Sequence, residues 1–144
     1  MTPRQFEFAA AELLPLMDAR FINRKVTREV RDGGRDVIAQ YQVGHGYHGI
    51  PLNISVEAKL WNEAGAVGVK PMMRLISRLK HRDFGVFITT SFFDTTVQRE
   101  LIEDGHPVIL VSGGDIARIL IAHEKDGDAL DRWLDGVRIA ADSA

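Results

Sequence analysis

Asp36, Glu57 and Lys59 are the residues of this 144-residue chain whose types and spacing could do chemistry together. Glu57-Ala58-Lys59 ends a segment that alternates cleanly, with Leu52, Ile54, Val56 and Ala58 on one side and Asn53, Ser55, Glu57 and Lys59 on the other. Alternation with period 2 marks a half-buried strand, and it sets the carboxylate and the ammonium on one face. Two carboxylates brought close repel unless one is protonated or a cation sits between them. Hard oxygen ligands of this kind suit Mg²⁺, which takes one or two carboxylates and keeps several waters. Asp36 and Glu57, with the Ala58 carbonyl as a further oxygen, could hold such an ion. It would polarise a phosphodiester oxygen and lower the pKa of a water. Lys59 beside them could orient that water or offset charge in the transition state. The bare pattern also fits solvated alternation on an exposed strand, so the elements that position the three residues matter more than the spacing.

A hairpin places Asp36. One arm runs from Asp36 to Gln42, the other from Leu52 to Lys59, and Gly44-His45-Gly46-Tyr47-His48-Gly49 forms a glycine-rich loop between them. Facing residues of an antiparallel hairpin share one index sum. Gly44 with Gly49 and Asp36 with Glu57 share the same sum, so a loop closing on those glycines sets Asp36 opposite Glu57. Opposite residues project from the same face, with Cβ atoms about 4.5–5.5 Å apart. A bulge would shift this register by one residue.

The remaining elements read as an α/β domain. Thr2 caps a first helix with Pro3 at its first position and Gln5 closing a capping box. Phe6, Ala9, Ala10, Leu13, Leu14 and Met17 form its apolar face, and Pro15 is expected to kink or end it. A strand is expected from about Phe21 to Val30, followed by a turn at Asp32-Gly33-Gly34. A second helix spans roughly Val69 to Lys80, with Met72, Met73, Ile76 and Leu79 on its apolar side. Phe84 to Thr90 reads as a buried strand, and Asp94 or Thr95 caps a third helix. Val108 to Val111 is another apolar strand, with a helix after Gly113-Gly114-Asp115 and a last one from about Asp128 to Ile139. A strand meander followed by crossover units implies a mixed sheet between helices.

Composition narrows the classes. There is no cysteine, which excludes disulfides and thiolate zinc sites and favours a cytoplasmic setting. No apolar run is long enough for a membrane span, so no membrane partner is expected. The formal net charge is −2, but residues 1–99 carry 14 Lys and Arg against 10 Asp and Glu, while residues 100–144 carry 4 against 10. A basic body suits a surface that meets phosphate on one side. Lys70, Arg74 and Arg78 recur every four residues on the second helix, Lys80 follows, and Arg35 ends a basic segment before Asp36. All five are candidate DNA-backbone contacts. Thr89, Thr90 and Ser91 sit at a strand end, where a following helix start could bind phosphate. His45 and His48 lack the further ligands a zinc site needs, and Trp61 and Trp133 read as packing residues.

Asp32-Gly33-Gly34-Arg35-Asp36-Val37, Val56-Glu57-Ala58-Lys59 and Phe87-Ile88-Thr89-Thr90-Ser91, in that order, resemble the Mrr-like branch of restriction endonucleases, within the D-(E/Q)-x-K nuclease superfamily. The resemblance runs from about Phe6 to Leu120. It implies a restriction-endonuclease-like three-layer fold with an α-β-β-β-α-β core. It also implies cleavage of DNA with one or two Mg²⁺ ions, Mn²⁺ being able to substitute. Asp36 and Glu57 would be metal ligands and Lys59 the catalytic lysine, with Glu7 as the additional acid such proteins often carry on the first helix. Residues 1–144 are expected to be a single nuclease domain, or one module of a larger protein with a fused or separate recognition or motor module. A double-strand cut needs two active sites, so a homodimer is expected on mechanism. The alternative is an inactive DNA-binding or subunit-interface module on the same fold.

Overall fold

The computed structural model describes residues 1–28, 36–61 and 65–144. The expected Asp32-Gly33-Gly34 turn and Arg35 lie outside the described residues. Helix α1 (Pro3–Met17) begins as its sequence requires: the Gln5 N–H donates to the Thr2 hydroxyl, and the Thr2 N–H to the Gln5 side chain. Pro15 does not end it; two further residues stay helical before the Asp18 N–H closes on the Leu14 carbonyl.

Five strands form the main sheet in the order β1-β2-β3-β5-β7. They are β1 (Phe21–Val26), β2 (Val37–Val43), β3 (Ile50–Lys59), β5 (Phe84–Thr89) and β7 (Val108–Val111). The first three make an antiparallel meander, and β3, β5 and β7 run parallel. The hairpin register is the one its loop implies: Val37 faces Val56 and Val43 faces Ile50, without a slip between them. The loop contains a 3₁₀ turn (Gly46–His48), with Gly44 and Gly46 at φ +85° and +56°. Strand β1 is shorter than its sequence suggests. It ends at Val26, after a register shift between Ile22 and Lys25 that accompanies Asn23 at φ +54°.

The sheet is covered unequally. On one face, α1 packs with α4 (Gly113–Ala122) and α5 (Gly127–Ser143) over Val37, Ala39, Ile54, Val56, Val86 and Ile88. On the other face, α2 (Val69–Ile76) and α3 (Thr95–Glu103) join a small parallel pair, β4 (Ala66–Val67) and β6 (Phe92–Phe93), around Phe87. This second layer sits over β5 and β7. The same face of β2 and β3 carries Gln40 and Asn53, which are joined by a side-chain hydrogen bond at the surface. That uncovered half of the sheet holds the polar edge of β3.

Helix α2 is shorter than its basic stripe suggests. It stops at Ile76, the Ser77 hydroxyl bonds back to the Arg74 carbonyl, and the chain continues in a tight turn. Leu75 rather than Met73 fills the buried side; Met73 is 47% exposed. Ser112 and Asp115 form a capping box at the start of α4, so the Gly113-Gly114 pair is a helix start.

Phe87 is fully buried and meets Phe93 edge to face, which makes it the peg that seats α2 and α3 on the sheet. Phe87→Ala is expected to destabilise the protein by about 3–5 kcal/mol, measured as a lower urea midpoint. A loss under about 1 kcal/mol would mean the second layer is held elsewhere.

Candidate active site

Strand β2 begins at Val37, so Asp36 sits at its mouth. Its backbone is fixed on both sides: its N–H donates to the Val56 carbonyl at 3.2 Å, and its carbonyl accepts from the Thr27 N–H at 3.0 Å. The Asp36 Oδ2 then accepts the Ala58 N–H at 2.7 Å. The carboxylate thus takes the place a strand carbonyl would have in the ladder. The Ala58 carbonyl faces the same edge, because Val56 bonds toward β2 while the Lys59 carbonyl bonds the other way, to the Thr90 N–H.

Glu57 and Lys59 stand on the face of β3 opposite α1, Glu57 largely covered and Lys59 exposed. Glu57 forms an ion pair with Arg78 at 3.2 Å, and the two side chains are 15% and 20% exposed. The Glu57 carboxyl is pushed up to about 7; burial is the largest cause and the Asp36 charge the next. Arg78, Arg74 and Lys59 pull it back down. Asp36 is raised as well, chiefly by burial, against the Ala58 N–H and the charges of Arg78, Lys59 and Arg4. The Asp36 charge thus acts on Glu57, and both acids are acted on by Arg78 and Lys59.

Lys59 extends toward solvent, with its ammonium 5.5 Å from the centre of the Trp61 ring. Trp61 packs against the second apolar cluster, as its sequence reading suggests, and also supports the lysine. Its backbone is clamped to Thr90, whose hydroxyl accepts the Trp61 N–H at 2.9 Å. The buried Thr89 hydroxyl donates to the Lys59 carbonyl at 3.0 Å, and the Ser91 hydroxyl donates to the Gly65 carbonyl. The Thr89-Thr90-Ser91 hydroxyls are thus spent on bracing the strand end that carries Lys59. The next helix starts later, at Thr95, with its first turn capped by Asp94.

Glu7 lies on α1 and is paired with Arg4, whose charge also acts on Asp36. The Glu7 carboxylate binds Arg4 at 2.5 Å, and Arg4 in turn donates to the Thr27 carbonyl at 2.6 Å. Among the described residues there is no group of three or more His, Asp or Glu that could hold a metal. Lys70, Arg74 and Lys80 are exposed. Arg78 is not, because the chain has left the helix and turned the guanidinium onto Glu57. Sequence spacing grouped it with the stripe, and no residue in the stretch signals the early stop. The loop with His45 and His48 lies at the far end of the seven-pair hairpin, about 23 Å from the acids.

The donor set fits a hard divalent cation: two half-buried carboxylates and one outward strand carbonyl, with the second carboxyl raised by the first. In the metal-free protein the folded chain binds more protons than the unfolded chain between the ordinary Glu value of 4.5 and about 7. Stability should therefore fall as pH rises through that window, by on the order of 2 kcal/mol. Urea titrations in EDTA across the window test this, and Glu57→Gln should remove most of the slope. An equal slope in both proteins would place the titration elsewhere.

The Mrr restriction endonuclease family model matches residues 1–120. Among solved structures, the DNA modification-dependent restriction endonuclease AspBHI superposes with TM-score 0.82 and 40% identity, covering 94% of this chain and 35% of that one. MspJI restriction endonuclease, solved in complex with a 27-mer oligonucleotide, gives TM-score 0.81 and 26% identity over 93% of this chain and 31% of that one. AF1548, a protein of unknown function, shares the fold with TM-score 0.65 and 17% identity. The chain spans about a third of the length of the two restriction endonucleases. No curated protein matches. Among the described residues, no helix is long and apolar enough to cross a membrane.

Proposed function

The chain belongs to the Mrr-type restriction endonuclease family, and we propose that it is a metal-dependent nuclease module hydrolysing DNA phosphodiester bonds. The observation that supports this is the Asp36 carboxylate seated on the Ala58 N–H, the residue between Glu57, whose carboxyl the Asp36 charge raises, and Lys59. Asp36, Glu57 and the Ala58 carbonyl would hold Mg²⁺, with Mn²⁺ as a substitute. Such an ion, when bound, polarises a phosphodiester oxygen and lowers the pKa of water at the site.

The chain's own residues do the rest. The Ala58 N–H holds one Asp36 oxygen in place and leaves the other turned to the site. Lys59 brings a positive charge that can orient the attacking water or offset the charge that develops on the phosphate. Trp61 and the threonine clamp hold that lysine at the strand end. Lys70, Arg74 and Lys80, together with Arg35, are proposed to grip backbone phosphates, which gives affinity without sequence information. Residues 1–144 act as one nuclease module. Recognition, including any reading of modified bases, is assigned to segments of the kind that make the two restriction endonucleases about three times longer. A double-strand cut needs two such sites, so the working form is a homodimer, and the setting is cytoplasmic restriction of foreign DNA.

Lys59→Ala and Asp36→Asn are each expected to cut plasmid DNA at least about a hundredfold more slowly, while gel-shift binding at low salt stays within about twofold. Nicking by the unmodified chain should require Mg²⁺ or Mn²⁺ and stop in EDTA. DNA binding without cutting under any divalent ion would favour the inactive binding-module reading.

A further inference from the structure

The contact between Arg78 and Glu57 has a consequence for how the site fills. Arg78 reaches Glu57 from the turn after α2, and its charge acts on Asp36 as well. Its guanidinium and the Glu57 carboxylate are both largely shielded from water, so the pair is not a loose surface contact. Two cations cannot share one small carboxylate comfortably: each is held by the same negative charge and repels the other. A divalent ion on Glu57 must therefore displace Arg78 or bind against its repulsion. A displaced Arg78 would carry its charge onto the open face that bears Lys59, where a DNA phosphate would lie. A guanidinium suits that phosphate as well as it suits the carboxylate.

We propose that Arg78 is a positioning residue that occupies Glu57 in the metal-free protein and moves to a DNA phosphate when a divalent cation binds. This rests on the metal reading of Asp36 and Glu57 given above. It makes metal and DNA binding mutually favourable, because each ligand stabilises the state in which Arg78 has left the carboxylate. Such coupling is reciprocal by thermodynamic necessity. It also guards the site: without DNA, Arg78 competes with the ion and holds the cutting centre underloaded.

Mn²⁺ binding, followed by the electron paramagnetic resonance signal of the free ion, tests this without any cleavage. Without DNA, Arg78→Gln should bind Mn²⁺ about tenfold more tightly than the unmodified chain. Arg78→Lys, which keeps the charge, should stay within about twofold of the unmodified chain. A second measurement does not depend on those variants folding. In the Lys59→Ala background, where cutting is slowed, a short duplex should tighten Mn²⁺ binding about tenfold beyond what the duplex takes up alone. Equal or weaker Mn²⁺ binding by a folded Arg78→Gln, or no effect of the duplex, would overturn the role assigned to Arg78. If the unmodified chain binds no Mn²⁺, or Asp36→Asn binds it equally well, the metal reading itself fails, which is a different result from the first.

Discussion

The Asp36 charge acts on Glu57 across the start of β2 and the end of β3, where partial burial removes much of the water that would otherwise screen their repulsion. The Ala58 N–H holds one of them, Arg78 pairs with the other, and Lys59, Arg74 and Arg4 add positive potential around both. Burial still wins, since both carboxyls end above their ordinary values. The site thus keeps two acids under electrostatic tension. The architecture around it serves chiefly to hold that tension in place.

The unequal covering of the sheet is what makes the site accessible. Apolar residues of β2, β3 and β5 face α1, α4 and α5 and anchor both acidic strands rigidly from beneath. On the other face the second helical layer stops over β5 and β7, and its edge supplies Arg78. The acids thus lie at a boundary: buried enough to be perturbed, open enough to meet a polymer. A fully covered sheet would exclude a duplex, and a bare one would leave the carboxylates at ordinary acidity.

Precision at the end of β3 comes from hydroxyl groups rather than from apolar packing. Lys59 lies at the last residue of its strand, where a ladder would fray. Thr89 and Thr90, at the end of the parallel neighbour β5, tie down the Lys59 carbonyl and the Trp61 backbone. The Trp61 ring then lies within reach of the lysine ammonium. The lysine is held in direction while its long side chain keeps freedom to follow substrate.

The sequence by itself determined whatever depends on local period and short loops. The alternation of Leu52 to Lys59 assigned Glu57 and Lys59 to one face, and the glycine-bounded loop set the register that runs from Val43–Ile50 to Val37–Val56, next to Asp36. The helix caps at Thr2 and Asp94 were legible for the same reason: each depends on atoms within three residues. Only the tertiary structure decided contacts between segments distant in the chain. Glu7 is paired with Arg4, three residues before it, and Arg4 reaches on to the Thr27 carbonyl. Arg78 keeps the spacing of a helical stripe, yet the helix ends before it and its charge goes to Glu57. Thr89, Thr90 and Ser91 look like a phosphate cradle but are consumed by the strand beside them. A side chain's partner is chosen by which groups the packed layers bring within hydrogen-bond reach, and no local pattern encodes that distance.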